Sequence, residues 1–186
     1  KNQKTGLPSF IKKENSLNAI SFGKIYPTAQ DQSGLELIAK QILNEVAGSL
    51  KIENPAEQFS LVESLTDEKE VTHVKMRQIF HGIPVYGGDL IVHLNKKDNN
   101  VIVNGNYYDL LMKDPIELEI NQLELINTVE EDIIKNNKSK IVLTKDFQKI
   151  LAPIVQKYIY PDENGREGRL IYHVSYWPNI ISKWEY

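Results

Sequence analysis

The residues best suited to bind a metal ion or move a proton are four histidines, His73, His81, His93 and His173. A metal site needs three or four ligands that converge on one point. His73 and His81 share strand parity, but the extended chain between them spans about 26 Å at about 3.3 Å per residue. They cannot meet on one straight strand, so the histidines read as ordinary surface or turn residues. The chain has no cysteine, which excludes disulfides, thiol catalysis and cysteine-based zinc sites. Gly82, Gly87 and Gly88 have the density of a phosphate-binding loop. However, they do not lead from a strand into a helix, and no Lys-Ser/Thr pair completes such a loop. They read as bulge and turn glycines. Acidic residues number 25, yet no pair stands apart in an apolar context. No Gly-x-Ser-x-Gly nucleophile elbow occurs.

Two further groups carry polar or aromatic character without an obvious reaction. Gln78 falls on the apolar side of an alternating strand, where a buried amide must find partners. The bend at Gly82-Ile83-Pro84 leaves backbone groups outside any ladder, and Gln78 is expected to bond there. Seven aromatic residues cluster late in the chain: Tyr158, Tyr160, Tyr172, Tyr176, Trp177, Trp184 and Tyr186. They suit a sheet face packed on a helix. Where exposed, they suit a partner surface, with Tyr176, Trp177 and Trp184 as the candidate contacts.

The elements that must position these residues follow from periodicity. Lys1 to Gln32 is irregular and reads as an extended arm with one short strand, docked through residues such as Phe10 and Ile11. Ser33 and Glu36 form a capping-box pattern, and Leu35, Ile38, Ile42 and Val46 recur at helical spacing. These signals predict a helix over 34–47, stopped by Gly48. Strands are expected at 59–65, 71–80, 83–94 and 101–108, joined by polar turns at 67–69 and 98–100. In the second of these, Val74, Met76, Gln78 and Phe80 share one face while His73, Lys75, Arg77 and His81 share the other. Pro115 marks a boundary. A second helix is predicted over 122–135, with Asn121 and Glu124 at its start and Leu123, Ile126, Val129, Ile133 and Ile134 on its apolar face. The segment 141–152 is ambiguous between strand and helical turn. Strands at 154–160 and 170–177 flank Asn164-Gly165, a pair suited to a type I′ hairpin turn with positive φ at both residues. A last strand is expected over 180–186. The fold class is therefore α+β: two consecutive units, each a helix plus an antiparallel meander.

Bulk properties agree with a globular chain of one or two domains. Of 186 residues, 41% are hydrophobic and 25% charged, enough apolar content to exclude disorder throughout. The net charge of −3 gives no pull toward nucleic acid. No run approaches the roughly 18 apolar residues of a bilayer-spanning helix, so membrane insertion is not expected. No signal peptide is visible at Lys1.

The text from His73 to Leu94 resembles the fungalysin/thermolysin propeptide motif. That motif has a His-Val start, a strand ending in Gln-x-x-x-Gly-(Ile/Val)-Pro-Val, a Gly-rich turn and an apolar strand. Gln78, Gly82, Ile83, Pro84, Val85, Gly87 and Gly88 are its constrained positions here, and 101–108 resembles the next strand. Arg169-Leu170-Ile171-Tyr172-His173-Val174 and Lys183-Trp184-Glu185-Tyr186 resemble a PepSY domain. The second string is one that in the PepSY family runs on into an Asp-Ala-x-Thr-Gly turn. The resemblance implies an arm at 1–32, a propeptide-motif domain at 33–112 and a PepSY-like domain at 113–186. It implies the pro-region of a secreted thermolysin-like zinc metalloprotease, which assists folding of the catalytic domain and covers its cleft. That domain, expected after Tyr186, would be the partner. The zinc would belong to it, since no His-Glu-x-x-His occurs here; no cofactor is expected in this chain. The competing reading is a free-standing secreted or periplasmic peptidase-binding module. An enzyme in its own right is disfavoured, because no catalytic group stands out.

Overall fold

A computed structural model of the chain describes residues 5–14, 31–112, 120–137, 152–177 and 184–185. The expected boundary at Pro115, the ambiguous segment 141–151 and the stretch 178–183 lie outside them. The fold is α+β, made of helix-plus-strand units. The chain divides into one unit of residues 1–113 with 159–169, and another of 114–158 with 170–186.

In the first unit the helix α1 spans Gln32–Leu50. Its start is set by Asp31, whose Oδ1 accepts the Gly34 N–H at 2.9 Å. The expected Ser33–Glu36 box is therefore displaced: Ser33 is already helical, and Glu36 pairs instead with Lys40 one turn on, at 2.8 Å. Gly48 lies within the last turn. The helix stops at Lys51, in the left-handed region at φ 59°, whose N–H turns back to the Ala47 carbonyl. Leu35, Ile38, Ile42 and Val46 are all buried, as their spacing requires. A one-turn helix α2, Pro55–Gln58, leads into the sheet. The Gln58 side chain accepts the N–H groups of Glu53 and Asn54.

Five antiparallel strands form that sheet: β1 (Phe10–Lys13), β2 (Phe59–Thr66), β3 (Val71–Phe80), β4 (Ile83–Asn95) and β5 (Asn100–Gly105). Their order is β1-β5-β4-β3-β2. α1 covers one face, burying Val74, Met76, Leu90, Val92, Leu94, Val101 and Val103 against its own apolar stripe. Each such side chain contributes about 1.5–3 kcal/mol on burial, so this layer holds the unit together.

The β3–β4 hairpin turns on His81 and Gly82, with φ 49° and 78°. Both are positive, the requirement of a type I′ turn. Next to the turn Phe80 pairs with Ile83 and Ile79 with Pro84, but then Arg77 pairs with Asp89. Val85, Tyr86, Gly87 and Gly88 thus stand against Gln78 alone. Extrapolating from the turn would set Leu90 opposite His73. The surplus on β4 is odd in number, so it exchanges which β4 side chains face α1. Without it Leu90, Val92 and Leu94 would point away from the core.

The meander pattern does not account for two parallel pairings in this unit. Val85 bridges Ile159. The short strand β6, Leu111–Met112, pairs with Glu167 and Gly168. Both partners come from the tip of the hairpin formed by β7 (Ile154–Pro161) and β8 (Glu167–Tyr176). The tip itself is closed by Gly165 N–H to the Asp162 carbonyl at 3.0 Å. Only Gly165 of the Asn164-Gly165 pair has positive φ, so this is not the expected type I′ turn. The Asp162 carboxylate supplies the reason: it accepts the N–H groups of Arg166 at 2.7 Å and Glu167 at 3.1 Å, which shapes a longer loop.

The second unit holds helix α3, Gln122–Asn137. Asn121 Oδ1 accepts the Leu123 N–H at the start. Val129 and Ile133 pack on Val174 and Tyr176, with Leu125 and Val155 partly buried beside them. Leu123, expected on the apolar face, is 64% exposed; in the first turn it falls short of that cluster. The short strand β9, Trp184–Glu185, pairs antiparallel with β8.

Candidate functional site

The constrained motif residues surround the register surplus in β4. Gln78 is 1% exposed. Its Nε2 donates to the Tyr108 carbonyl at 2.7 Å, and its Oε1 accepts the Tyr108 N–H at 3.0 Å. The partner is thus the segment after β5, and not the Gly82-Ile83-Pro84 bend. The turn at His81-Gly82 is a tight hairpin whose neighbours Phe80 and Ile83 are already paired, which leaves the amide no vacancy there. A side chain taking both hydrogen bonds of one backbone residue replaces the strand neighbour that β4 cannot provide while its extra residues loop past. Gly88 makes room for this, since a Cβ there would sit 3.0 Å from Gln78 Oε1 and 3.0 Å from the Val85 Cβ. Val85 is fully buried, Ile83 and Pro84 are half-buried, and Gly82 and Gly87 are exposed. Beside Val85 the rings of Tyr86 and Tyr160 lie 5.7 Å apart.

On the face of this sheet away from α1, polar side chains meet across strands. Arg77 holds Asp89 in a two-point contact, Nε to Oδ1 at 2.8 Å and Nη2 to Oδ2 at 3.1 Å. Lys75 sits between Asp89 and Glu63, at 3.7 and 3.8 Å. One row further along, His73 and His93 face each other with their Nδ1 atoms 2.6 Å apart. His73 Nε2 bonds Asp67 Oδ2 at 3.0 Å, and His93 Nε2 bonds Asn104 Oδ1 at 2.8 Å. The His73 contact, with the Val71 N–H, holds the Asp67 carboxyl below its ordinary value. Comparing histidines along one strand misses this pair. Only the β4 surplus sets them opposite each other, and a count from the turn does not reveal it. His81 stands apart in the turn, and His173 pairs with Glu185 at 3.0 Å.

In the second unit Tyr176 is 6% exposed and packs against α3. Its hydroxyl donates to Glu130 at 3.1 Å. Burial, with Glu130 beside it, pushes that hydroxyl up to about 12. Trp177 is half-buried, and the Trp184 side chain lies outside what the structure describes. Tyr172 accepts the Ile120 N–H and lies under the Lys157 ammonium, 5.6 Å from its ring centre. Among the described residues no group of three or more His, Asp or Glu could hold a metal ion, and no helix is long and apolar enough to cross a membrane. What the geometry offers is backbone-fixing hydrogen bonds and a patterned sheet surface.

Residues 57–107 match the family described as the Fungalysin/Thermolysin Propeptide Motif. The match runs from α2 through β5 to Tyr107, and so contains the whole hairpin, its surplus and Gln78. Bacillolysin of Bacillus subtilis strain 168 and bacillolysin of Bacillus subtilis subsp. amylosacchariticus are each 30% identical to the chain over 97 residues. That similarity covers 52% of this chain and 18% of either relative. The chain thus spans under a fifth of the length of the curated relatives it matches.

Proposed function

We propose that this chain is a non-catalytic pro-region of a secreted thermolysin-like zinc metalloprotease, acting as intramolecular chaperone and inhibitor of the catalytic domain. The observation that carries the reading is the propeptide-motif match over 57–107, centred on a hairpin with a built-in register surplus. Similarity to two bacillolysins supports the same parentage. In this reading 1–32 is an arm, 33–112 the propeptide-motif domain and 113–186 a PepSY-like domain. Zinc belongs to the catalytic partner. Gln78, Gly82, Ile83, Pro84, Val85, Gly87 and Gly88 act by holding the hairpin in shape, while Trp177 and Trp184 are candidate contacts with the partner. Tyr176 serves the α3 packing.

A folded sheet surface inhibits by occupying a cleft, and it assists folding if it binds the nearly folded enzyme more tightly than the unfolded one. Titrating the chain into its mature cognate protease is expected to abolish peptide hydrolysis at micromolar concentration. It is also expected to raise the yield of active enzyme refolded from denaturant. Full activity at saturating chain, with no gain in refolding, would refute the proposal.

A further inference from the structure

We propose that His73 and His93 form a proton-sharing pair that ties β3 to β4 and opens on acidification, making the first unit acid-responsive. The inference stands on the geometry of that unit and does not rest on the pro-region reading. Asp67 Oδ2 and Asn104 Oδ1 can only accept, so His73 Nε2 and His93 Nε2 each carry a hydrogen. The 2.6 Å contact between the two Nδ1 atoms requires one further hydrogen, shared between them. Three ring protons on two imidazoles leave one positive charge, lying beside the Asp67 carboxylate. Turning the Asn104 amide over lets the pair give up a proton with the bridge intact. A fourth proton has no place: both Nδ1 atoms would carry hydrogen and point at each other, as two cations in contact.

The surroundings do not cancel this. Leu65 lies opposite His73 on β2 and Ile102 opposite His93 on β5, both without charge. Along β3, Lys75 is held by Asp89 and Glu63. Lys12 of β1 and Asp98 of the β4–β5 turn line the same shallow pocket as His93; Lys12 is bonded to Glu14, and Asp98 to Asn95. Asp67 is therefore the only carboxylate among the described residues in direct contact with either ring, and it is already used by the first charge. His73 is 30% exposed, so protons reach it from water.

The sign follows from proton counting. Below about pH 6.5 two free imidazoles in the unfolded chain take both charges, while the intact bridge holds one. The unfolded state then binds more protons, and stability falls as pH falls. Histidine-selective ¹⁵N NMR of the whole chain between about pH 8 and pH 5 tests this. The two rings are expected to titrate as one coupled unit, and His93→Gln is expected to move the His73 curve. Urea unfolding of wild type is expected to lose up to about tenfold in folding constant per pH unit on the acid side. That loss should vanish in His93→Gln, where His73 keeps Asp67 alone. Independent single-step curves would overturn the proposal. So would full protonation of both wild-type rings with unchanged β3 and β4 amide shifts, a result that needs no variant to fold.

Discussion

The two faces of the five-stranded sheet are built from alternate residues of the same strands, yet they are held by different forces. Toward α1 lie Val74, Met76, Leu90, Val92 and Leu94, nearly inaccessible to water. Away from α1 lie His73, Lys75, Arg77, Asp89 and His93, joined by directed polar contacts that remain partly solvated. Apolar burial is non-directional and tolerates no vacancy. Charged contacts in partial solvent are directional and contribute little net stability. The covered face therefore holds the fold and fixes which β4 residues turn inward, while the open face adds directed contacts whose strength varies with salt. Gln78 is the exception that tests the rule: a polar side chain on the covered face, tolerated because both its amide atoms are satisfied by Tyr108.

Three substitutions sharpen or break that contrast. Ile42→Ala removes a fully buried side chain from the middle of the α1 stripe, and should cost roughly 2–5 kcal/mol in urea unfolding. A loss under about 1 kcal/mol would mean that the layer is loosely packed. Gln78→Leu keeps the volume but strands the Tyr108 N–H and carbonyl in the interior. At about 1–3 kcal/mol for each of the two unsatisfied groups, the expected loss is roughly 2–6 kcal/mol. A melting temperature equal to wild type would show that the segment after β5 does not depend on this amide. Asp89→Asn weakens the open-face contact with Arg77 and should cost only about 0.5–1 kcal/mol, the loss shrinking in high salt. A cost as large as that of Ile42→Ala would erase the distinction between the faces.

Much of the architecture was legible from local text. The β3 boundaries, Val71–Phe80, coincide with the expected strand. The buried stripe of α1 follows the spacing of Leu35, Ile38, Ile42 and Val46. Turn chemistry was less legible. Asn164-Gly165 has the stronger dipeptide signal for a type I′ turn, yet the geometry appears at His81-Gly82. At the former the Asp162 carboxylate competes for two backbone N–H groups, and no dipeptide preference includes a side chain two residues away. The cap of α1 moved for a similar reason: Asp31 reaches the Gly34 N–H first, and Glu36 pairs with Lys40.

What the amino-acid order determined by itself is whatever repeats with the period of a single element. It set the apolar stripe of α1 and the alternation of β3, and it excluded thiol chemistry, because these depend only on near neighbours and composition. The tertiary structure alone decided which strand positions meet. The unequal count between Gln78 and the stretch Val85–Gly88 set the faces of β4, brought His73 against His93 and left Gln78 to find Tyr108. Register is a property of two strands closing together, and the energy that selects it is spread over every pair in the ladder. No single segment carries it.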